Sequence, residues 1–164
     1  MICKNSHANF HNEILLENNY IGASTDEAWT EISIPEILKI PSLKPDIGNI
    51  QSVIITPRIE DERIISTLNS EKFDKQEGMR LTNKKLLIDG VLFQKIIYTS
   101  NEQEQGLVTI DFDIPFSTYI VIEPNTSINE NKFYVNVYVE DVVVQMINTR
   151  NIFKNVTLFL KVIN

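Results

Sequence analysis

From Lys85 to Thr99 apolar residues occupy both parities. Leu86, Ile88, Gly90, Leu92, Gln94, Ile96 and Tyr98 alternate with Leu87, Asp89, Val91, Phe93, Lys95 and Ile97. Successive side chains of a strand point to opposite faces, so this pattern predicts a long strand covered on both sides for most of its length. A polar turn, Asn101–Gln105, is closed by Gly106. Val108, Ile110, Phe112 and Ile114 then share one parity and Thr109, Asp111 and Asp113 the other, the signature of a half-buried antiparallel strand. The two segments predict a hairpin. Pro115-Phe116-Ser117 reads as a corner, with Thr118–Ile122 continuing as a strand.

After the polar turn Pro124–Asn131, Phe133, Val135, Val137 and Val139 alternate with Tyr134, Asn136, Tyr138 and Glu140, and the run continues into Val142-Val143-Val144. Near the C-terminus Val156, Leu158, Leu160 and Val162 alternate with Thr157, Phe159, Lys161 and Ile163. Upstream, Val53-Ile54-Ile55 and Ile64-Ile65 flank Pro57–Glu62, which predicts two strands between Asn49 and Thr67. Residues Asn69 to Arg80 read as a connection, with Gly78 as its turn residue. Pro35, Pro41 and Pro45 forbid a long helix between Trp29 and Pro45 and confine any strand there to an edge or a short piece. Regularly spaced strands with polar turns, and no strand–helix–strand alternation, predict an all-β, antiparallel β-sandwich or barrel-like domain over residues 29–164.

Residues 1–28 differ. Polar residues dominate around a small apolar group of Phe10, Ile14, Leu15 and Leu16, and the spacing from Phe10 to Ile14 suits a short amphipathic helix. Such an arm is either loosely tethered or ordered by a neighbouring surface. It also holds the sole cysteine, Cys3, which reads either as incidental or as a cross-link to another subunit under oxidation.

Composition narrows the chemistry. With 43% hydrophobic and 23% charged residues this is an ordinary globular chain, and a net charge of −7 offers no positive face for nucleic acid. No stretch reaches the length of a membrane span, and the N-terminus lacks the apolar core of a signal peptide. His7 and His11 would share a helical face near Glu13, yet no motif supplies the remaining ligands a metal needs, so no metal or cofactor is assigned. Those are the only histidines, which leaves nucleophilic catalysis without a base outside the arm. Glu60-Asp61-Glu62, Asp111 with Asp113, and Glu140-Asp141 read as solvated strand faces rather than catalytic pairs. Gly90, inside a strand, predicts a bulge or a close backbone approach.

Several pieces, in order, resemble the SPOCS domain family, the repeated unit of the clostridial spore-morphogenesis protein SipL and of related spore-envelope proteins. They are Ile40-Pro41, Lys44-Pro45-Asp46-Ile47, the run Glu77–Leu86, Asp89-Gly90-Val91-Leu92, Lys95–Tyr98, and Ile114-Pro115-Phe116-Ser117. Val139-Glu140-Asp141, Arg150-Asn151-Ile152 and the strand Val156–Val162 complete the set. The resemblance implies a non-enzymatic structural or scaffolding protein of a spore coat or exosporium, made in the mother-cell cytoplasm without a signal peptide. Its partners would be copies of itself and other spore-envelope proteins. SipL-like chains add a LysM domain and tandem units; this chain carries one unit and no LysM, so avidity is expected from self-association. The alternative is a carbohydrate- or peptide-binding module with a shallow aromatic site drawn from Trp29, Tyr134 and Tyr138.

Overall fold

A computed structural model describes residues 13–15, 28–69, 82–102, 106–122 and 134–163. They form seven strands: β1 (Glu13–Leu15), β2 (Trp29–Lys39), β3 (Ile47–Asn69), β4 (Thr82–Ser100), β5 (Leu107–Ile122), β6 (Tyr134–Asn148) and β7 (Asn151–Ile163). One sheet has the order β1-β3-β4-β5 and the other β2-β7-β6. All neighbours are antiparallel except β1, which runs parallel to β3. The expected all-β sandwich is what forms. The β4–β5 hairpin pairs without interruption from Lys84↔Ile122 to Thr99↔Leu107.

Three local expectations are corrected. Ile14 lies in an extended strand rather than a helix, with Glu13, Ile14 and Leu15 opposite Ser52, Val53 and Ile54; Phe10 lies outside the described residues. The pair of strands expected between Asn49 and Thr67 is one strand, because among the described residues β3 has a neighbour on one side only at Pro57: β1 covers Ser52–Ile54, and Pro57 faces Leu92 of β4. No corner occurs at Pro115, since β5 is an edge strand among the described residues and its side without a described neighbour tolerates the missing N–H. The same reason admits Pro35 to β2, the edge strand expected there.

The core lies between the sheets. From β4 come Leu86, Ile88, Leu92, Ile96 and Tyr98; from β7, Ile152, Val156, Leu158, Leu160 and Val162, all buried. On β6 the buried parity changes from Val135 and Val139 to Val142 across a register shift between Val139 and Asp141, so a bulge at Glu140 keeps valines inward on both sides of it.

Two features fix the register. At the crossing from β2 to β3, the turn between β6 and β7 clamps residues 40–46. Arg150 Nε meets Asp46 Oδ1 at 2.7 Å, Arg150 Nη1 donates to the carbonyls of Lys44 (2.6 Å) and Pro41 (3.3 Å), and Thr149 Oγ1 donates to Asp46 Oδ2 (2.8 Å). Backbone bonds Ile40 N–H to Arg150 O and Ile47 N–H to Thr149 O close it, and buried Tyr98 donates its hydroxyl to Pro45 O at 2.8 Å. The second is a cross-strand block in which Asp89, Gly90 and Val91 face Ser117, Phe116 and Pro115. A Cβ on Gly90 would lie 2.5 Å from Phe116 Cζ and 2.6 Å from the carbonyl oxygen of Arg58. Both readings of Gly90 hold: the backbones approach closely, and β3 shifts register opposite it, between Ile59 and Asp61.

Gly90→Ala is expected to cost about 1–3 kcal/mol in urea denaturation, since the Phe116 ring can turn aside but the Arg58 carbonyl is backbone. Arg150→Ala is expected to lose about 1–2 kcal/mol in the same measurement, the ion pair being partly exposed and the carbonyls losing a charged donor.

Candidate functional site

The sheet edges and the interior hold the groups with functional capacity. β1 adds a short parallel strand to the edge of β3, which offers main-chain groups there because, among the described residues, no other strand pairs with it on that side. The edges at β2, β5 and β6 carry exposed apolar side chains: Trp29 and Ile37 on β2, Leu107 and Tyr119 on β5, Tyr134 and Ile147 on β6. Exposed apolar groups on unpaired strands favour association, and Pro35, Pro115, Asp111, Asp113 and the β6 register shifts blunt those edges.

Cys3, His7, Phe10, His11 and Leu16 lie outside the described residues, so of the expected arm residues only Ile14 and Leu15 are placed, both in β1. The carboxylate clusters are taken up individually. Glu60 pairs with Arg58 at 2.7 Å, Asp61 with Arg63, and Arg63 also reaches Asp89 at 2.9 Å. Glu62 Oε1 accepts the Val135 N–H at 3.3 Å, joining β3 to β6. Asp111 faces Lys95 at 3.9 Å.

The aromatic residues expected to form a shallow site are partly assembled. Phe159 packs against Trp29 (ring centroids 5.6 Å apart) and Tyr138 (6.3 Å), and Asn136 Nδ2 donates to the Tyr138 hydroxyl at 3.1 Å. Tyr134 stands at the exposed start of β6. Phe159, the residue between the other two rings, carries the same alternation signal as its neighbours and was not singled out by its sequence context.

Inside the sandwich lies a cluster that the motif search missed. Lys154 on β7 is fully buried, its Nζ 3.4 Å from Glu36 Oε2 on β2. Gln94 on β4, in the opposite sheet, points its Nε2 at the same carboxylate, 3.3 Å from Oε2 and 3.5 Å from Oε1. Lys154 Nζ and Gln94 Oε1 find no hydrogen-bond partner of good geometry. Burial pushes the Lys154 ammonium below its ordinary range, and the Glu36 carboxylate opposes that shift. The signal was present in the sequence: Lys154 shares the parity of Ile152 and Val156, and Gln94 that of Leu92 and Ile96.

At the β6 bulge, Glu140 is pushed above the usual carboxylate range, first by burial and then by the charge of Glu31 and a hydrogen bond with it. A carboxyl that holds its proton more tightly folded than unfolded stabilises the fold in acid, and that contribution is lost as pH rises through the raised value. Glu62, raised chiefly by burial, has the same sign. Glu140→Gln is therefore expected to raise stability at neutral pH relative to the wild type. It should also flatten the decline in stability upward from about pH 4.3, the unfolded carboxyl's range, as read by urea midpoints across pH.

The SipL SPOCS-domain family model matches residues 46–147, more than half of the chain. No curated protein matches, and no solved structure does. The match takes in Asp46 of the clamp and the Gly90–Phe116 block and ends within β6, while Thr149 and Arg150 of the clamp lie beyond it. The chain belongs to the SipL SPOCS-domain family and is, on that membership, sporulation-related.

Proposed function

We propose that the chain is a structural unit of a bacterial spore envelope, coat or exosporium, that works by self-association and protein–protein contact and catalyses no turnover. The observation that carries this reading is β1, a strand from the N-terminal arm laid on the edge of β3. Residues 16–27 separate it from Ala28 and, fully extended, would reach up to roughly 40 Å. The arm of one copy thereby has the length to occupy the β3 edge of the next. Passed one way from copy to copy, such an arm makes a heterologous contact, and heterologous contacts propagate into sheets or filaments unless they close into a ring. The exposed apolar residues on the edges at β2, β5 and β6 supply further surfaces for contact with other envelope proteins. Cys3 on the same arm would lock an exchanged contact under oxidation. Synthesis in the mother-cell cytoplasm fits this role. The second reading, a carbohydrate- or peptide-binding module, is favoured by one observation, the Trp29–Phe159–Tyr138 array.

Deleting residues 1–28 is expected to lower the sedimentation coefficient of the assembled protein at matched concentration. Equal assembly of the truncated and intact chains would remove the arm from the proposal. A monomer at every concentration in both would remove self-association.

A further inference from the structure

We propose that Lys154 and Gln94 form an intramolecular isopeptide bond, with Glu36 as the acid–base group, so that the two sheets are joined covalently through the core. The three side chains come from three strands and two sheets: Glu36 from β2, Lys154 from β7 and Gln94 from β4. Both side-chain nitrogens converge on one oxygen, Glu36 Oε2, at 3.4 Å and 3.3 Å. Lys154 is wholly shielded from solvent, Gln94 nearly so, and their neighbours along β4 and β7 are Leu92, Ile96, Ile152 and Val156. A buried ammonium–carboxylate pair is costly in so apolar a place, and a buried donor and acceptor without good partners add to that cost. Passing one proton from the ammonium to Glu36 removes both charges and leaves a neutral amine, the nucleophilic form of lysine.

The chemistry balances without any added reactant. The Nζ lone pair attacks Cδ of Gln94, forming the Nζ–Cδ bond while the carbonyl electron pair moves to Oε1. When the carbonyl re-forms, the Cδ–Nε2 bond breaks; Glu36 gives its proton to the departing Nε2 and takes one from Nζ. Ammonia leaves, Glu36 is again an acid, and a primary amine and a primary carboxamide have become one secondary amide. The reaction occurs once per chain, so it is a maturation step and not a turnover activity. The product has no buried charge at Lys154, and β4 and β7 can no longer separate when the domain is pulled or transiently opened. It does not depend on the assembly proposed above, and either idea can fail alone.

The test is the intact mass of the purified full chain. The expected mass is one ammonia below that of the sequence, and a tryptic digest should contain a branched peptide joining the segments that hold Gln94 and Lys154. Glu36→Gln, with strand content checked by circular dichroism, is expected to show the full sequence mass and no branched peptide. Wild-type protein that keeps the full sequence mass after prolonged incubation of the folded chain overturns the proposal. So does an ammonia loss that maps to an asparagine elsewhere and persists in Glu36→Gln.

Discussion

β4 and β7, the inner strands of the two sheets, both turn apolar side chains into one shared core, and most other features follow from keeping that core dry. Each is flanked by a strand on both sides, so its main-chain groups are paired within its sheet and its inward side chains are free to be apolar. Burying one isoleucine or leucine fully contributes about 1.5–3 kcal/mol, and ten such buried apolar side chains from these two strands dominate the stabilising side of the balance. A one-residue slip of either strand would turn that whole set outward. Register is accordingly the quantity the rest of the domain protects.

The protection is visible where the chain could slip. Arg150 and Asp46 tie the turn between β6 and β7 to the crossing from β2 to β3, which links the registers of both sheets through one ion pair and a group of carbonyl contacts. Gly90 admits the Phe116 ring where any side chain would collide, so β4 and β5 meet in one alignment. The bulge at Glu140 absorbs a change of parity in β6 and places Glu140 beside Glu31, a carboxyl pair that costs stability at neutral pH. These devices give the pieces that resemble the family, among them Asp46, Gly90, Phe116 and Arg150, a role in strand register.

The interior Glu36–Lys154–Gln94 cluster stands against the logic of a dry core. Replacing such a pair with apolar residues is often neutral or stabilising, so its presence is not explained by stability as an ion pair alone. Conversion to an amide resolves the conflict, because it keeps the bridge between the sheets and discards the charges. At the periphery the opposite rule holds: the edges at β2, β5 and β6 retain exposed apolar groups, and the edge of β3 accepts β1 as an added strand.

Alternation along the chain determined the all-β class and the β4–β5 hairpin, because the period of two is a local property of extended backbone, while the prolines confined β2 to an edge or a short piece. Gln94 and Lys154 share the parity of apolar neighbours, a signal that alternation alone left unread. Three things needed the tertiary structure. Pro57 and Pro115 read locally as breaks, and only the position of β3 and β5 in the sheet decided that each strand passes through unbroken. The segment around Ile14 had helical spacing, and the edge of β3 made Glu13–Leu15 extended, since three residues in isolation have no strong preference that a sheet edge cannot override. Glu36, Gln94 and Lys154 lie far apart in sequence, and their meeting at one oxygen depended on two sheets facing each other, which no local pattern encodes.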